Sequence, residues 1–289
     1  IKVVIPFPPG GTLDTVGRTL AQRLSDQMGK PVIVENKPGG NATIGPATVA
    51  RSTADGYTLL FNASTFLSGP MISTAVPYQI EKDFQPVALV AKAPLSVAIN
   101  KNLPISDMKG LIQYAKANPG KMTFAVGSIA SAGHLSTELL KQSAGLDYMI
   151  VPYKGTAPAF QDLIGGQIDA FIDPVLGSLQ YHQGGLLKVI ATTSKTRIPV
   201  LPEVPTVGET LPGFEFFSWY GLWAPAGTPA AVIARLNKEV NIALQSEALT
   251  KFSAQGLILE QRSVDEFKAF QKIESDKARK IVDDANIKL

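Results

Sequence analysis

The chain has 289 residues, of which 45% are apolar and 18% charged, and its 27 basic and 24 acidic residues give a formal net charge of +3. This length suits two lobes rather than one small core, the absence of a dense Lys/Arg block argues against nucleic-acid binding, and no apolar run approaches the roughly 18 residues of a membrane span. The lack of cysteine excludes disulfides, thiolate metal sites and cysteine nucleophiles.

The first part of the chain alternates strand-like and helix-like segments. Apolar residues at Leu13, Val16 and Leu20 have the spacing of one helix face, and Gly29 with Pro31 is typical of a helix end. The predicted elements are a strand over 1–6, a helix over 13–28, a strand over 32–34, a helix over 44–51 and a strand over 57–61. The chain begins in a strand without Met, so we expect an export signal to have been removed.

A second series of alternating segments follows. The predicted elements are a helix from the Ser106-Asp107 cap to about 118, a strand over 122–126, a helix carrying Leu135, a strand over 149–152, a helix over 157–165, a strand over 168–172, a short helix near 177–183 and a strand over 187–191. Two amphipathic helices, near 232–244 and 267–281, close the chain. Such alternation predicts an α/β fold with mostly parallel sheets.

Two continuous apolar segments separate these blocks. We interpret 89–99 and 214–224 as strands that cross between two lobes. The first lobe would then comprise residues 1–97 and 222–289, and the second lobe residues 98–221. Two crossovers create a hinge, and ligands often bind in the cleft between such lobes.

The stretch IPFPPGGTLD joins the first strand to the first helix. Its prolines stiffen the strand exit, and Gly10-Gly11 permits positive φ and close approach to backbone N–H groups. Thr12 can cap the helix, whose N-terminus favours an anion; a tight turn without a ligand is the alternative. The spacing matches neither a P-loop nor a dinucleotide fingerprint. Because Asp14 can itself accept from backbone N–H groups, a small carboxylate suits this loop better than a nucleotide.

Three other loops follow predicted strands, at 62–65, 127–134 and 153–158. Loops at the carboxyl ends of parallel strands converge on one crevice. Asp173 also ends an apolar strand, where it could hold a ligand hydroxyl or ammonium or, with a slight preference, cap the next turn. Trp219 and Tyr220 are predicted to belong to the hinge core rather than to a ligand platform.

An enzyme is not predicted. Ser128, His134 and Asp173 could form a catalytic triad, but no G-x-S-x-G elbow is present, and a single His at a helix start is more often a packed or capping residue. With two histidines and no cysteine, no transition-metal site is expected. No cofactor is predicted either.

Seven stretches that together cover essentially the whole chain carry a family resemblance. They are IPFPPGGTLD, PVIVENKPGGNATIG, DGYTLLF, ANPGKMTFAVGSIASAGHL, VPYKGTAPAFQDLIGGQID, LPEVPTVGE and GLWAPAGTP. In these stretches the chain resembles the substrate-binding proteins of tripartite tricarboxylate transporters, also called Bug proteins. The resemblance implies a two-lobed periplasmic binding protein of type II, in which two crossover strands join the lobes and each lobe is a mostly parallel sheet flanked by helices.

The resemblance also implies a ligand site, which closes like a flytrap on a small carboxylate. Carried over by motif, the ligand-binding residues are Phe7, Gly11, Thr12, Asp14, Ser64, Thr65, Ser128, Ala132, His134, Lys154, Gly155, Thr156, Ala157 and Asp173. The loop GSIASAGH and the residues around Asp14 depart from many family members, which affects the identity of the ligand rather than the receptor role. Either Asp173 or Lys154 could contact the far end of the ligand.

The resulting prediction is a monomeric periplasmic receptor that delivers a carboxylate to the membrane permease subunits of a tripartite tricarboxylate transporter. The carboxylate is predicted to be a C4–C6 dicarboxylate, a hydroxycarboxylate or an aromatic carboxylate. Two alternatives remain open from the sequence. One is a hydrolase that uses Ser128 and His134, and the other is a ligand-sensing protein that signals to a membrane kinase.

Overall fold

The computed structural model describes residues 1–73 and 75–288. Leu289, the last residue of the predicted first lobe, lies outside the described residues. In the described part of the chain the strands are β1 (Lys2–Ile5), β2 (Ile33–Asn36), β3 (Thr58–Ala63), β4 (Phe84–Asn100), β5 (Thr123–Val126), β6 (Met149–Pro152), β7 (Ala170–Pro174), β8 (Leu187–Thr192) and β9 (Phe217–Pro225).

The helices occupy the connections between these strands. They are α1 (Thr12–Met28), α2 (Ile44–Ala50), α3 (Thr65–Ile72), α4 (Ile80–Asp83), α5 (Met108–Ala117), α6 (Ala132–Ala144), α7 (Thr156–Gly165), α8 (Val175–Gln183), α9 (Ala230–Ala243), α10 (Glu247–Thr250) and α11 (Val264–Asp284). Among the described residues, no helix combines the length and the apolar character needed to cross a membrane.

The strands form two sheets. The first sheet has the order β2-β1-β3-β9-β4, and the second has β4-β7-β5-β6, with β8 also paired to β4. Strands β1, β2 and β3 run parallel, as do β5, β6 and β7. The crossover strands β4 and β9 pair antiparallel with each other, β9 also pairs antiparallel with β3, and β4 with β7 and β8. Each sheet therefore combines three parallel strands with antiparallel pairings to a crossover strand.

Strand β4 belongs to both sheets. Its residues 84–94 pair with β9, and from Leu95 onward it pairs with β7 and β8. A second crossover leads from the second sheet back to the first. Just before β9 begins, the Phe216 amide donates a hydrogen bond to the Thr193 carbonyl. These two connections confirm the predicted two-lobed fold, whereas the lobe boundaries near 97 and 222 stay a prediction.

An aromatic cluster packs the first sheet against the C-terminal helix α11. Trp219, Trp223 and Phe267 are each at most 1% exposed, and their ring centroids lie 5.5 to 6.0 Å apart. The same helix also contacts α6, with Leu135 and Ile281 in one apolar cluster. Helix α11 thus packs on elements from both sides of the hinge, and Trp219 is core as predicted.

The start of α1 differs from the prediction. Gly11, in an extended conformation, is the N-cap, and none of the described side chains caps the helix. Thr12 is already helical, so the predicted Thr12 cap was wrong. Of the two glycines, only Gly10 has a positive φ, of 93°. The backbone therefore turns at Gly10 and enters the helix one residue earlier than the apolar pattern indicated.

Candidate functional site

A cavity of about 120 Å³ lies where the two sheets meet. Its walls come from the loops after β1, β5 and β6, the starts of α1, α3, α6 and α7, the end of β7 and one face of β9. The lining residues are Phe7, Pro8, Pro9, Gly11, Thr12, Leu13, Asp14, Ala63, Thr65, Gly127, Ser128, Ser131, Ala132, Gly133, Lys154, Gly155, Thr156, Ala157, Pro158, Asp173, Pro174, Ser218 and Tyr220.

Two helix N-termini without side-chain caps meet across this cavity. Helix α1 has the N-cap Gly11 and α7 the N-cap Gly155, and in the described structure neither receives a side-chain cap. A Cβ atom at Gly11 would lie only 3.5 Å from Thr156 Oγ1. The first N–H groups of a helix have no partner within the helix, so both ends present free donors and the positive ends of their dipoles. This arrangement suits an anion.

A third helix, α6, begins at the same wall but is capped internally. Ser131 Oγ accepts a hydrogen bond from the His134 amide. Its N-terminus therefore offers fewer free donors than those of α1 and α7, although Ser128 and Ala132 line the cavity beside it.

Asp14 supports the loop behind the cavity. Its carboxylate accepts hydrogen bonds from the Gly10 amide at 3.0 Å, from Arg18 Nε at 3.0 and 3.1 Å, and from Asn36 Nδ2 at 2.8 Å. The same Asn36 amide group donates to the Phe7 carbonyl. The carboxylate thus ties the exit of β1 to β2, and its oxygens are occupied by protein donors.

These contacts also set the charge of Asp14. Burial, the largest single effect, acts to raise the pKa of this carboxyl, but the hydrogen bonds from Arg18, Asn36 and Gly10 together with the Arg18 charge outweigh it, and the pKa is lowered. Asp14 therefore remains a carboxylate, and the negative charge is held by Arg18 at the rear of the loop.

Asp173 has the opposite environment. It is 7% exposed, lines the cavity, and its Oδ2 has no hydrogen-bond partner among the described residues. Burial raises the pKa of Asp173 well above its ordinary value. The favoured prediction that Asp173 caps the next helix was wrong, because β7 continues through Pro174, which is itself the N-cap of α8 and leaves no side-chain cap.

Titration of Asp173 should make the stability of the protein depend on pH. Since the folded-state pKa lies above the unfolded value, the free energy of unfolding should fall as the pH rises from the unfolded value through the folded-state pKa, by up to about 1.4 kcal/mol per pH unit. Asp173→Asn should remove this component. Urea denaturation of both proteins at a series of pH values measures it.

The exposed Asp147 provides a matched control, since its side chain is 67% accessible. Asp147→Asn makes the same chemical change at a residue that does not line the cavity and is measured in the same pH series. Equal pH slopes for the wild type and Asp173→Asn would show that Asp173 titrates as an ordinary solvated carboxyl.

All predicted site residues line the cavity except Ser64 and His134. Ser64 lies just before α3 and lines a separate, smaller cavity with Trp219. His134 is 5% exposed, and its Nδ1 accepts a hydrogen bond from the Ala130 amide at 3.0 Å. Neither side chain lines the cavity, although the neighbouring Ala63, Thr65 and Gly133 do, and the part of Ser64 and His134 in ligand binding stays a prediction.

The described contacts do not assemble a catalytic triad. The single O–H of Ser128 lies within donating distance of Asn41 Oδ1, at 3.3 Å, and of the Ile129 carbonyl, at 3.2 Å. His134 instead contacts Ala130 and, at 3.8 Å, Glu138. No group of three or more His, Cys, Asp and Glu residues within the described ranges could hold a metal ion.

The sequence interpretation missed Tyr220 as a cavity residue. Tyr220 and Ser218 line the cavity, while Trp219 between them packs in the core. Successive strand residues point to opposite faces, so Trp219 and Tyr220 could not share one environment, and this alternation was the available signal. Burial and, to a lesser extent, Asp173 raise the pKa of the Tyr220 phenol, so it stays protonated and can donate a hydrogen bond.

A comparison with protein families matches residues 16–287 to the tripartite tricarboxylate transporter family receptor. Among solved structures, the periplasmic binding protein BugD is 32% identical with a TM-score of 0.93, over 100% of this chain and 98% of BugD. Rpa4515 of R. palustris with adipate is 32% identical with a TM-score of 0.96, over 100% and 97%. MatC of Rhodopseudomonas palustris with bound malate is 30% identical with a TM-score of 0.91, over 98% of each chain.

Proposed function

The chain belongs to the tripartite tricarboxylate transporter receptor family, and we propose that it is a monomeric periplasmic receptor that captures a small carboxylate between its lobes and delivers it to membrane permease subunits. The periplasmic location is supported by the similarity to BugD, a periplasmic binding protein. The neighbours with adipate and malate support a carboxylate as the ligand.

The observation that carries this proposal is the pair of uncapped N-termini of α1 and α7, which face each other at Gly11 and Thr156. Free N–H groups from two helices can surround one carboxylate without a charged side chain. The Asp14 carboxylate already accepts the hydrogen bond of the Gly10 N–H group. The N–H groups that remain free at the two helix starts therefore suit a compact group with a single negative charge.

Other residues of the cavity wall would select the remainder of the ligand. Lys154 is exposed where it lines the cavity and would hold a second carboxylate. Asp173 and Tyr220 are both buried residues of the cavity wall. The Asp173 Oδ2 atom, which has no partner among the described residues, would accept a hydrogen bond from a ligand hydroxyl or ammonium. This division favours a dicarboxylate of about four to six carbons, with or without a hydroxyl group; an aromatic carboxylate would contact Phe7 and Tyr220.

The proposal predicts a ligand-specific thermal shift. Protein unfolded and refolded to remove carried-over ligand is screened against adipate, malate, acidic amino acids, aromatic carboxylates, phosphate and nucleotides. A ligand at 100 times its dissociation constant stabilises the protein by about 2.7 kcal/mol, which is a shift of several degrees for a chain of this size. A response confined to one carboxylate class is expected.

The variant Lys154→Met tests the contact with the second carboxylate. It should weaken the binding of a dicarboxylate about tenfold, a loss that corresponds to about 1.4 kcal/mol, and should leave a monocarboxylate with the same chain length unaffected. Lys121→Met, at an exposed lysine outside the cavity, is the control. A protein that responds only to phosphate or nucleotides, or to no carboxylate, would contradict the proposed function.

A further inference from the structure

The loop after β2 reaches across the cleft to the loop after β5. Asn41 Nδ2 donates to the Ile129 carbonyl at 3.4 Å, and Ser128 Oγ donates to Asn41 Oδ1 at 3.3 Å. Beside this pair, Ser68 Oγ donates to the Ala130 carbonyl at 2.6 Å. Asn41 follows β2 and Ser68 lies in the helix after β3, so both belong to segments that follow strands of the first sheet. Residues 128–130 follow β5 of the second sheet. The three hydrogen bonds therefore join the two lobes.

The backbone on both sides of this contact is strained. Asn41 has φ 50° and Ala42 has φ 66°, while Ala130 on the opposite loop has φ 59°. Among the described residues the fourth non-glycine residue with positive φ is Asn286. The left-handed conformation costs free energy for residues with a Cβ atom, less so for Asn than for Ala. Such conformations persist where surrounding contacts hold them, and they cluster at clamps and switches.

We infer that Asn41 is a positioning residue of an interlobe latch, defined as Asn41 and Ser68 together with residues 128–130. The inference rests on the proposed function, since the latch fixes the position of the cavity wall that the second lobe contributes to the proposed ligand site. Ser128 lines the cavity, so the bond from its hydroxyl to Asn41 sets where that wall stands relative to α1. The latch holds the two lobes together even before a ligand adds its own contacts.

Asn41→Gly isolates the side chain from the backbone. Glycine adopts positive φ without penalty, so the loop keeps its conformation while both Asn41 hydrogen bonds are lost. Asn286 offers a matched control, because it has the same φ of 50° and is exposed at the end of α11. Asn286→Gly makes the same chemical change in the same backbone conformation at a residue that does not line the cavity.

The natural chain contains no cysteine, so two introduced cysteines can be spin-labelled selectively. Lys30→Cys and Lys121→Cys place one label on an exposed residue of each lobe, and pulsed electron paramagnetic resonance measures the interlobe distance in the ligand-free protein. The wild type should show mainly the short, closed distance. Asn41→Gly should lower the ratio of closed to open protein by about fivefold or more, as expected for the loss of two hydrogen bonds, and Asn286→Gly should not.

The double variant Asn41→Gly/Ser68→Ala removes all three bonds and should enlarge the open component further, so that the effect is measurable even for a predominantly closed wild type. A wild type without a closed component, or a double variant whose distances equal those of the wild type, would overturn the latch. The measurement needs no ligand. A negative carboxylate screen would therefore contradict the proposed function alone, and unchanged distances beside a positive screen would contradict the latch alone.

Discussion

Gly133→Ala is expected to lower the free energy of unfolding by about 2 to 3 kcal/mol and to weaken ligand binding at the same time. Gly133 lies in the first turn of α6, and a Cβ atom there would be 2.2 Å from the carbonyl oxygen of Ile172. That oxygen belongs to β7, so no side chain can move aside to make room. The helix must shift away from the sheet, and the cavity wall formed by residues 131–133 shifts with it.

Gly165→Ala is the matched control for this prediction. Gly165 is the last residue of α7 and is exposed. Among the described residues, an added Cβ would meet no atom within 4 Å beyond its own helix backbone and chain neighbours. The same substitution should there be neutral or stabilising by up to about 1 kcal/mol, because alanine favours a helix more than glycine does. Chemical denaturation of both variants and a thermal-shift titration with the carboxylate that stabilises the wild type measure the two effects. Equal stabilities of the two variants would contradict close packing of α6 on β7.

Asp14→Ala is expected to cost about 2 to 3 kcal/mol of stability and to weaken carboxylate binding by at least about tenfold. The loss of the carboxylate leaves the Gly10 amide, Arg18 and Asn36 without their shared acceptor. The loop at the start of α1 would then no longer be held in the conformation that presents its N–H groups. Isothermal titration with the carboxylate found by the screen measures the affinity, and urea denaturation measures the stability.

The free energy of unfolding should depend on pH through the Asp14 carboxyl. Because its pKa is lowered in the folded protein, the stabilisation is present above the unfolded value and is lost as the pH falls through the folded-state pKa, below about pH 4. Asp14→Ala should lack this acid-sensitive component.

Asp107 provides the control for Asp14. Its carboxylate also accepts a backbone hydrogen bond, from Gly110 at the start of α5, but it lies outside the cavity. Asp107→Ala should cost about 1 kcal/mol as a lost helix cap and leave ligand affinity unchanged. If Asp14→Ala bound the ligand as tightly as Asp107→Ala does, Asp14 would have no role in shaping the site.

The strand–loop–helix units were predictable because each is local. The apolar run, the Gly- and Ser-rich turn and the helix face of each unit lie within about 30 residues of one another, and parallel strands place their carboxyl-end loops at one edge. For this reason the convergence of the loops near 11, 63, 128 and 155 followed from the sequence, and so did the crossover role of the segment that became β4.

The remaining features depend on contacts between distant segments. The partnership of Asp14 with Asn36 joins residues 22 positions apart, and no pattern in either segment predicts it. Strand β7 extends to Pro174 because it pairs with β4. Asp173 therefore lies within the strand and lines the cavity, instead of capping the following helix as predicted. His134 does not line the cavity, because its ring accepts a hydrogen bond from the Ala130 amide of its own loop, where Ala130 has a left-handed conformation.

The insertion of β9 between β3 and β4 has a consequence for the order in which the chain can fold. In the first sheet, β3 and β4 are joined only through β9. The hydrogen bonding of this sheet therefore cannot be completed until the chain has been synthesised to the end of β9, at Pro225. The second sheet draws all its strands from residues 95–192 and needs no later partner. In a chain made from the N-terminus onward, the second sheet can complete its hydrogen bonding first, and the first sheet carries the long-range closure that slows folding.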